Sequence, residues 1–338
     1  LSDIRFDPVS NQWVVIARNR QGRPMEFLQL ETQQQHLLCP FCIGNEEETP
    51  PARATYRSDG SQVENSDEAV DWVVRIVPNK YPMFESQSIV SESQKRNWKN
   101  PSPYRIADIN GEQEVLVCSP RHITSISELQ DDELLVTFAA MQDRLRVFEV
   151  NKSVLHAMAF FNCRSTAGAS LSHIHMQLIG SPIVSDELKL RPERNQAQLE
   201  KTGRSLIETC AQWEVESRSR MIYQSEHFYV FCPFASRFPF QVWLVPKHSQ
   251  HHFASCPAEM RDELARSCRW LVSSIERFAE QPGYNLLLHQ APIALRDGDH
   301  WYFELLPRLT RPAGYEWGTN IWVNPVSPET AARRLKLK

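Results

Sequence analysis

The chain has 338 residues, 41% of them hydrophobic and 23% charged, with a formal net charge of −4. That length supports a substantial core in one large or two medium domains, and that composition argues against intrinsic disorder. A pI of 6.3 provides no overall field for nucleic acid or an anionic membrane, so any phosphate recognition must be local. The opening "LSDIRFDPVSNQWVV" carries no signal pattern, and no apolar run approaches about 18 residues, which predicts a cytoplasmic protein with neither a membrane nor a nucleic-acid partner. Eight cysteines, of which only Cys39 and Cys42 are close in sequence, read as reduced thiols rather than a disulfide framework.

In chain order, "QWVVIA" (12–17) predicts a strand, followed by "RNRQGRP" (18–24). The three arginines there suit bidentate phosphate contacts, with a solvated loop as the alternative. "CPFC" (39–42) comes next, then an exposed loop "VENSDEAVDW" leading into a strand "VVRIVPN". The turn-rich first 110 residues look like loops wrapped over the more regular remainder of the chain. "EVLVCSPRH" (114–122) predicts a strand that stops near Pro120. The helix after it should be opened by a capping box, Ser127 with Gln130, ahead of apolar residues at 3.6 spacing. The apolar "SVLHAMAFFN", a small-residue loop "CRSTAGAS" and the strand "LSHIHMQLIG" complete the unit.

A comparable order returns after the charged segment 182–205: the strand "FQVWLVPKH", the amphipathic "CPAEMRDELARSCRWLVSSIERFAE", and the strands "YNLLLHQAP" and "HWYFELLPRL". His122 and His173 lie 51 positions apart, and His248 and His300 lie 52 apart, which indicates an internal duplication. Superposing the last strands sets His173 on His300, His175 on Tyr302 and Gln177 on Glu304. The expected fold is therefore α+β: a duplicated unit forming a largely antiparallel sheet with helices on one face. The halves are 1–181 and 206–338, joined by the linker 182–205.

The chemistry concentrates in "SLSHIHMQLIG". Alternate residues of a strand share a face, so His173, His175 and Gln177 should point one way and Ile174, Met176 and Leu178 into a core. A solvated strand face is the plain alternative, and the motif alone does not separate metal ligand from nucleophile. Cys39 and Cys42 have the spacing of structural zinc sites but need two further ligands, for which His122 and one of His173 or His175 are the best placed. Unliganded core thiols are the alternative. Asn162, Gly168 and Ser170 lie in or beside the small-residue loop, where amides and hydroxyls can cradle phosphate, unless it is a simple hairpin.

Taken together, "DIRFDPVSNQWVVIARNRQGRP", "CPFCIGNE", "RIVPNKYP", "SPRH", "NCRSTAGASLSHIHMQ" and "GYEWGTNIWVNP" resemble the galactose-1-phosphate uridylyltransferase family of the histidine-triad superfamily, over nearly the whole chain. The resemblance implies that each half is a histidine-triad-like unit and that His175 attacks the α-phosphorus of a nucleotide sugar. It also implies that Gln177 stabilises the phosphoryl oxygens, and that zinc is held by Cys39, Cys42, His122 and His173. Arg20, Arg23, Asn79, Asn162, Gly168 and Ser170 would line the nucleotide, and Tyr315 and Glu316 the hexose, within a homodimer. The expected reaction moves a nucleoside monophosphate from UDP-glucose to a hexose 1-phosphate. The end "WGTNIWVNP" and the loop "AGAS" look more like a branch that includes an ADP-glucose phosphorylase, which implies the alternative of adenylyl transfer to phosphate; a histidine-triad hydrolase of nucleotides, sharing the covalent step but ending on water, is a separate alternative. Of that branch's second metal site, Cys210, His252 and His300 are present, but Trp213 replaces a thiol, so one metal site is expected.

Overall fold

The computed structural model describes residues 3–10, 12–16, 39–63, 71–84, 110–248, 250–295 and 300–336. Arg20 and Arg23 lie outside the described residues. In the first half the strands are β1 (Asp3–Asp7), β2 (Gln12–Ile16), β3 (Ala54–Tyr56), β4 (Val74–Pro78), β5 (Glu112–Val117), β6 (His156–Cys163) and β7 (His175–Ser181). The second half adds β8 (Met221–Gln224), β9 (Phe228–Phe231), β10 (Val242–Pro246), β11 (Tyr284–His289), β12 (Tyr302–Pro307) and β13 (Trp322–Asn324). Six α-helices occur among the described residues: α1 (Asp131–Val150), α2 (Asp186–Thr202), α3 (Leu206–Ser217), α4 (Ala258–Glu276), α5 (Gly314–Thr319) and α6 (Pro328–Lys336). None of them is long and apolar enough to cross a membrane.

Ten strands form one sheet in the order β3-β4-β5-β7-β6-β11-β12-β10-β9-β8, and β1, β2 and β13 form a second, small one. Every pairing in the large sheet is antiparallel. Its order is a palindrome of the two halves. β5-β7-β6 of the first meets β11-β12-β10 of the second, with the seam at β6 and β11. The duplicated α+β unit expected from sequence is therefore present, and its two copies share one sheet.

Helices α1 and α4 pack against one face of that sheet. Ile174, Met176 and Leu178, all at most 2% exposed, point into the same core as Phe138 and Leu145 of α1 and Leu264 and Leu271 of α4. Burying each such side chain contributes about 1.5–3 kcal/mol, which makes a one-residue register slip prohibitive. The alternating polar residues are thereby forced onto the opposite face.

One local expectation is corrected. α1 begins at Asp131, one turn later than a Ser127 cap requires. The Ser127 hydroxyl donates instead to Glu276 at 2.6 Å, and its N–H donates to Ser125 Oγ at 3.4 Å, tying the helix approach to the second half. The Gln130 N–H donates to the Glu133 carboxylate at 2.8 Å and opens the helix there. A tertiary partner outcompeted the local cap.

Candidate active site

Cys39, Cys42, His122 and His173 converge, with ligand atoms all within 4.8 Å of one another. Cys39 and Cys42 Sγ each lie 3.6 Å from His173 Nδ1, and Cys42 Sγ lies 3.4 Å from His122 Nδ1. A zinc tetrahedron with Zn–S of about 2.3 Å and Zn–N of about 2.0–2.1 Å has S···N edges of about 3.6 Å, so the donor set fits that ion in both chemistry and dimension. His173 Nε2 lies 2.9 Å from the Ser119 carbonyl, to which it can only donate. That fixes the tautomer, leaving the Nδ1 lone pair facing the sulfurs. His122 Nε2 is similarly engaged by Ser172 Oγ at 3.2 Å. Burial, reinforced by Cys39, pushes the Cys42 thiol up to about 11, the behaviour of paired thiols that a bound cation reverses.

His175 opens β7, and its ring is 5% exposed. The Phe41 ring, carried between the two cysteines, lies 5.9 Å from His173 and 5.3 Å from His175. His175 Nδ1 donates to the His173 carbonyl at 2.8 Å. Nε2 therefore carries the lone pair, and it has no partner among the described residues. Burial pushes this imidazole below its ordinary value of 6.5, although the carbonyl contact opposes that shift. The neutral, nucleophilic form is favoured.

Gln177 lies two residues along the same face. Its Oε1 accepts from Gln113 Nε2 at 2.9 Å, while Gln113 Oε1 accepts the Met83 N–H at 2.7 Å. A backbone N–H can only donate, so the Gln113 amide has one possible orientation, and it turns the Gln177 NH2 outward. Sequence reasoning missed Gln113. The loop carrying Asn79 is pinned by the same residue, through the Asn79 N–H to the Gln113 carbonyl at 3.0 Å. The Asn79 side chain caps its own loop at Tyr81 N, 2.8 Å away.

On the other side of β7, Phe161 pairs with Met176, so one step further Asn162 falls beside His175. Gly168 adopts φ +89°, and a Cβ there would sit 3.9 Å from Asn162 Nδ2. The small-residue loop thus closes over that amide. Gly283 lets it pack down, since a Cβ at 283 would collide with Thr166 and lie 3.2 Å from Ala167 N. Ser170 is exposed at the loop's end. Tyr315 and Glu316 sit elsewhere, on α5. Tyr315 is 54% exposed, and the Glu316 carboxylate accepts the Ala313 N–H at 2.9 Å. Neither hydrogen-bonds to the β7 residues. Cys210 lies on α3, where Trp213 is 66% exposed, while His300 is fully buried and His252 Nε2 faces the Pro292 carbonyl at 3.3 Å.

A duplicated antiparallel sheet with a His-x-Gln strand beside a Cys₂His₂ cluster defines the α+β class of the chain. Residues 122–337 match the family described as a domain of unknown function (DUF4921), and the chain belongs to that family. It is 28% identical over 341 residues to an ADP-glucose phosphorylase of Arabidopsis thaliana, covering 99% of this chain and 92% of the relative. It is 26% identical over 346 residues to a galactose-1-phosphate uridylyltransferase of Thermotoga maritima, covering 99% and 98%. The crystal structure of an ADP-glucose phosphorylase from Arabidopsis thaliana with bound ADP-glucose superposes with a TM-score of 0.81 at 27% identity, covering 100% of this chain and 99% of that one. The chain is thus of the nucleotidyltransferase type, and the relatives named are enzymes.

Proposed function

We propose that the protein transfers a nucleoside monophosphate from a nucleotide sugar through a covalent bond to His175. The observation that carries this reading is the single hydrogen bond from His175 Nδ1 to the His173 carbonyl, which leaves Nε2 as an unencumbered nucleophile. In the first step the Nε2 lone pair attacks the α-phosphorus. An N–P bond forms, and the bond to the bridging oxygen breaks, releasing hexose 1-phosphate. The ring then carries positive charge, which the His173 carbonyl stabilises at Nδ1–H. In the second step a phosphate oxygen of the acceptor attacks the same phosphorus, and Nε2 leaves with its electron pair. The outward NH2 of Gln177 donates to a nonbridging oxygen in both steps without supplying an acid that could trap the intermediate.

We assign zinc to Cys39, Cys42, His122 and His173. When bound, it supplies structural bracing and no acid–base chemistry. Because His173 offers its ring to the cluster and its carbonyl to His175, the same residue couples the brace to the nucleophile. Asn79, Asn162, Gly168 and Ser170 are assigned to the nucleotide and its phosphates, with Arg20 and Arg23. Tyr315 and Glu316 are assigned to the sugar within a homodimer; size-exclusion chromatography with light scattering would report a monomer if that assembly is wrong.

Two donor–acceptor pairs fit this chemistry, UDP-glucose with a hexose 1-phosphate and ADP-glucose with phosphate. The near full-length likeness to an ADP-glucose phosphorylase makes the second pair the first to assay. The test uses both sugars labelled at the α-phosphate, followed by denaturation in alkali, where phosphohistidine survives. Label is expected on wild type, absent from His175→Ala, and discharged by the true acceptor. No protein-bound label with either sugar overturns covalent catalysis, and label retained in His175→Ala overturns the assignment. Discharge by water alone would identify a hydrolase.

A further inference from the structure

We infer that Asn285, in the second half, is a positioning residue for the first-half site, setting the orientation of the Asn162 amide and of the loop that closes over it. This rests on the nucleotidyl-transfer reading above. Asn285 faces Asn162 directly across the seam between β11 and β6. Its Nδ2 donates to Asn162 Oδ1 at 2.7 Å and to the Ala167 carbonyl at 2.9 Å, and its Oδ1 accepts from Arg308 Nε at 2.5 Å.

These neighbours leave no freedom. Arg308 Nε–H can only donate and the Ala167 carbonyl can only accept, so the Asn285 amide has one orientation. Asn162 must therefore turn its oxygen to the seam. Its NH2, which has no partner among the described residues, is presented beside His175 and under Gly168. Arg308 is held in turn, its guanidinium stacked 4.7 Å from the Phe238 ring centroid.

The loop is fastened by the same half. Arg164 donates to the Pro282 carbonyl at 2.7 Å and pairs with Glu276 at 3.3 Å, and Gly283 makes room for Thr166. An anionic phosphate needs the Asn162 NH2, whereas the amide oxygen in its place would repel it. The second half thereby decides which end of Asn162 the ligand meets.

The decisive variant is Asn285→Asp, which still accepts from Arg308 but donates to neither partner, so the Asn162 amide turns over and offers its oxygen to the ligand. Label formation at His175 is expected to slow about 100-fold, comparable to Asn162→Ala and to the loss of one preorganised donor. Zinc content should stay at the wild-type value, and the melting temperature should fall only by the few degrees that an unpaired buried Ala167 carbonyl costs. The double variant Asn162→Ala/Asn285→Asp is expected to be no slower than the slower single variant, because both act on one amide. Independent, multiplying effects, or a wild-type rate in Asn285→Asp, would overturn the inference. If Asn285→Asp does not fold, Arg308→Met, which removes the donor that fixes Asn285, is read in the same cycle with an expected loss of about 10-fold.

Affinities for ADP and UDP, measured by calorimetry, separate the two readings. A wild type that binds a nucleotide but never labels defeats the covalent reading while leaving the cycle readable as affinity. A wild type that neither labels nor binds defeats both.

Discussion

Replacing Cys42 by serine tests the coupling between the metal cluster and the nucleophile. The substitution nearly preserves volume but exchanges a thiolate for a poor zinc ligand, and it opens a link that joins positions 80 residues apart, Cys42 and His122. Closing a loop of that size contributes about 4.5 kcal/mol in the chain-entropy treatment of covalent cross-links, an upper figure for a metal bridge. Part of the docking survives without the ion, because Phe41, Trp72, Val77 and Val115 form their own apolar cluster and Trp72 donates to Glu46 at 2.8 Å. A fall in melting temperature of roughly 5–10 °C is therefore expected. The activity should fall as well. His173 would still donate to the Ser119 carbonyl, so the strand end loosens without unfolding, and kcat should drop about 10-fold, at the lower end of what loss of orienting groups around a metal costs. Elemental analysis, a thermal scan and steady-state kinetics on the same preparation decide it. One zinc per chain retained in Cys42→Ser would refute the ligand set, and zinc lost with unchanged Tm and kcat would refute the bracing role.

Gln177→Leu should lower the rate of label formation about 100- to 1000-fold in single-turnover experiments. Gln113→Leu should lower it about 10-fold through misorientation alone; an effect as large as that of Gln177→Leu would place Gln113 on the substrate instead. Because burial holds the His175 imidazole below 6.5, kcat/KM should stay level from pH 8 down through 6.5 and decline only in more acid solution. The unfolded chain takes up that proton first, so stability declines in the same direction; an imidazole titration by NMR at or above 6.5 for His175 would contradict both statements. Glu304→Gln should destabilise the fold by about 3–5 kcal/mol, since it leaves the Arg237 guanidinium beside a neutral amide in a buried site. Burial alone would raise the Glu304 carboxyl, but Arg237 and His289 hold it well below the usual range. The deficit of Glu304→Gln, measured by denaturation, should be constant above about pH 5 and shrink in acid as wild type loses the same interaction.

The strand carrying His175 and Gln177 was legible because its signal is local. A period-two polar stripe against Ile174, Met176 and Leu178 needs only the geometry of a strand, and a close cysteine pair advertises its chemistry. The duplication was legible because two units of matched length carry the same order of elements. Gln113 and Asn285 were not, because each acts through a partner 64 or 123 positions away, and pairing across a sheet is decided by topology. A weak trace existed: a lone asparagine in the apolar run "YNLLLH" is a buried polar group in need of a reason. Ser127 teaches the converse: its residue type suits a helix cap, yet it is hydrogen-bonded to Glu276 of the second half instead.

The asymmetry between the two copies has a physical basis in what covers each polar face. In the first copy the face carrying His175 and Gln177 leaves Nε2 and an NH2 unpaired among the described residues. In the second, Tyr302 is 4% exposed and Trp243 is 3% exposed, and both sit in an apolar cluster with Ile207 and Ala211 of α3. Glu304, in the place of Gln177, receives hydrogen bonds from Gln241, Trp243, His289 and Arg237. A carboxylate saturated in this way has no lone pair to spare for a ligand, and Tyr302, stacked on His289 at 4.6 Å, has no imidazole nitrogen to attack with. The second copy is therefore chemically quiet on its own face while remaining rigid at the seam. Rigidity there is what the first copy needs, because β11 delivers Asn285 to Asn162 in a fixed register. A duplicated unit with tyrosine in place of the histidine can in this way serve as the wall against which its twin is aligned.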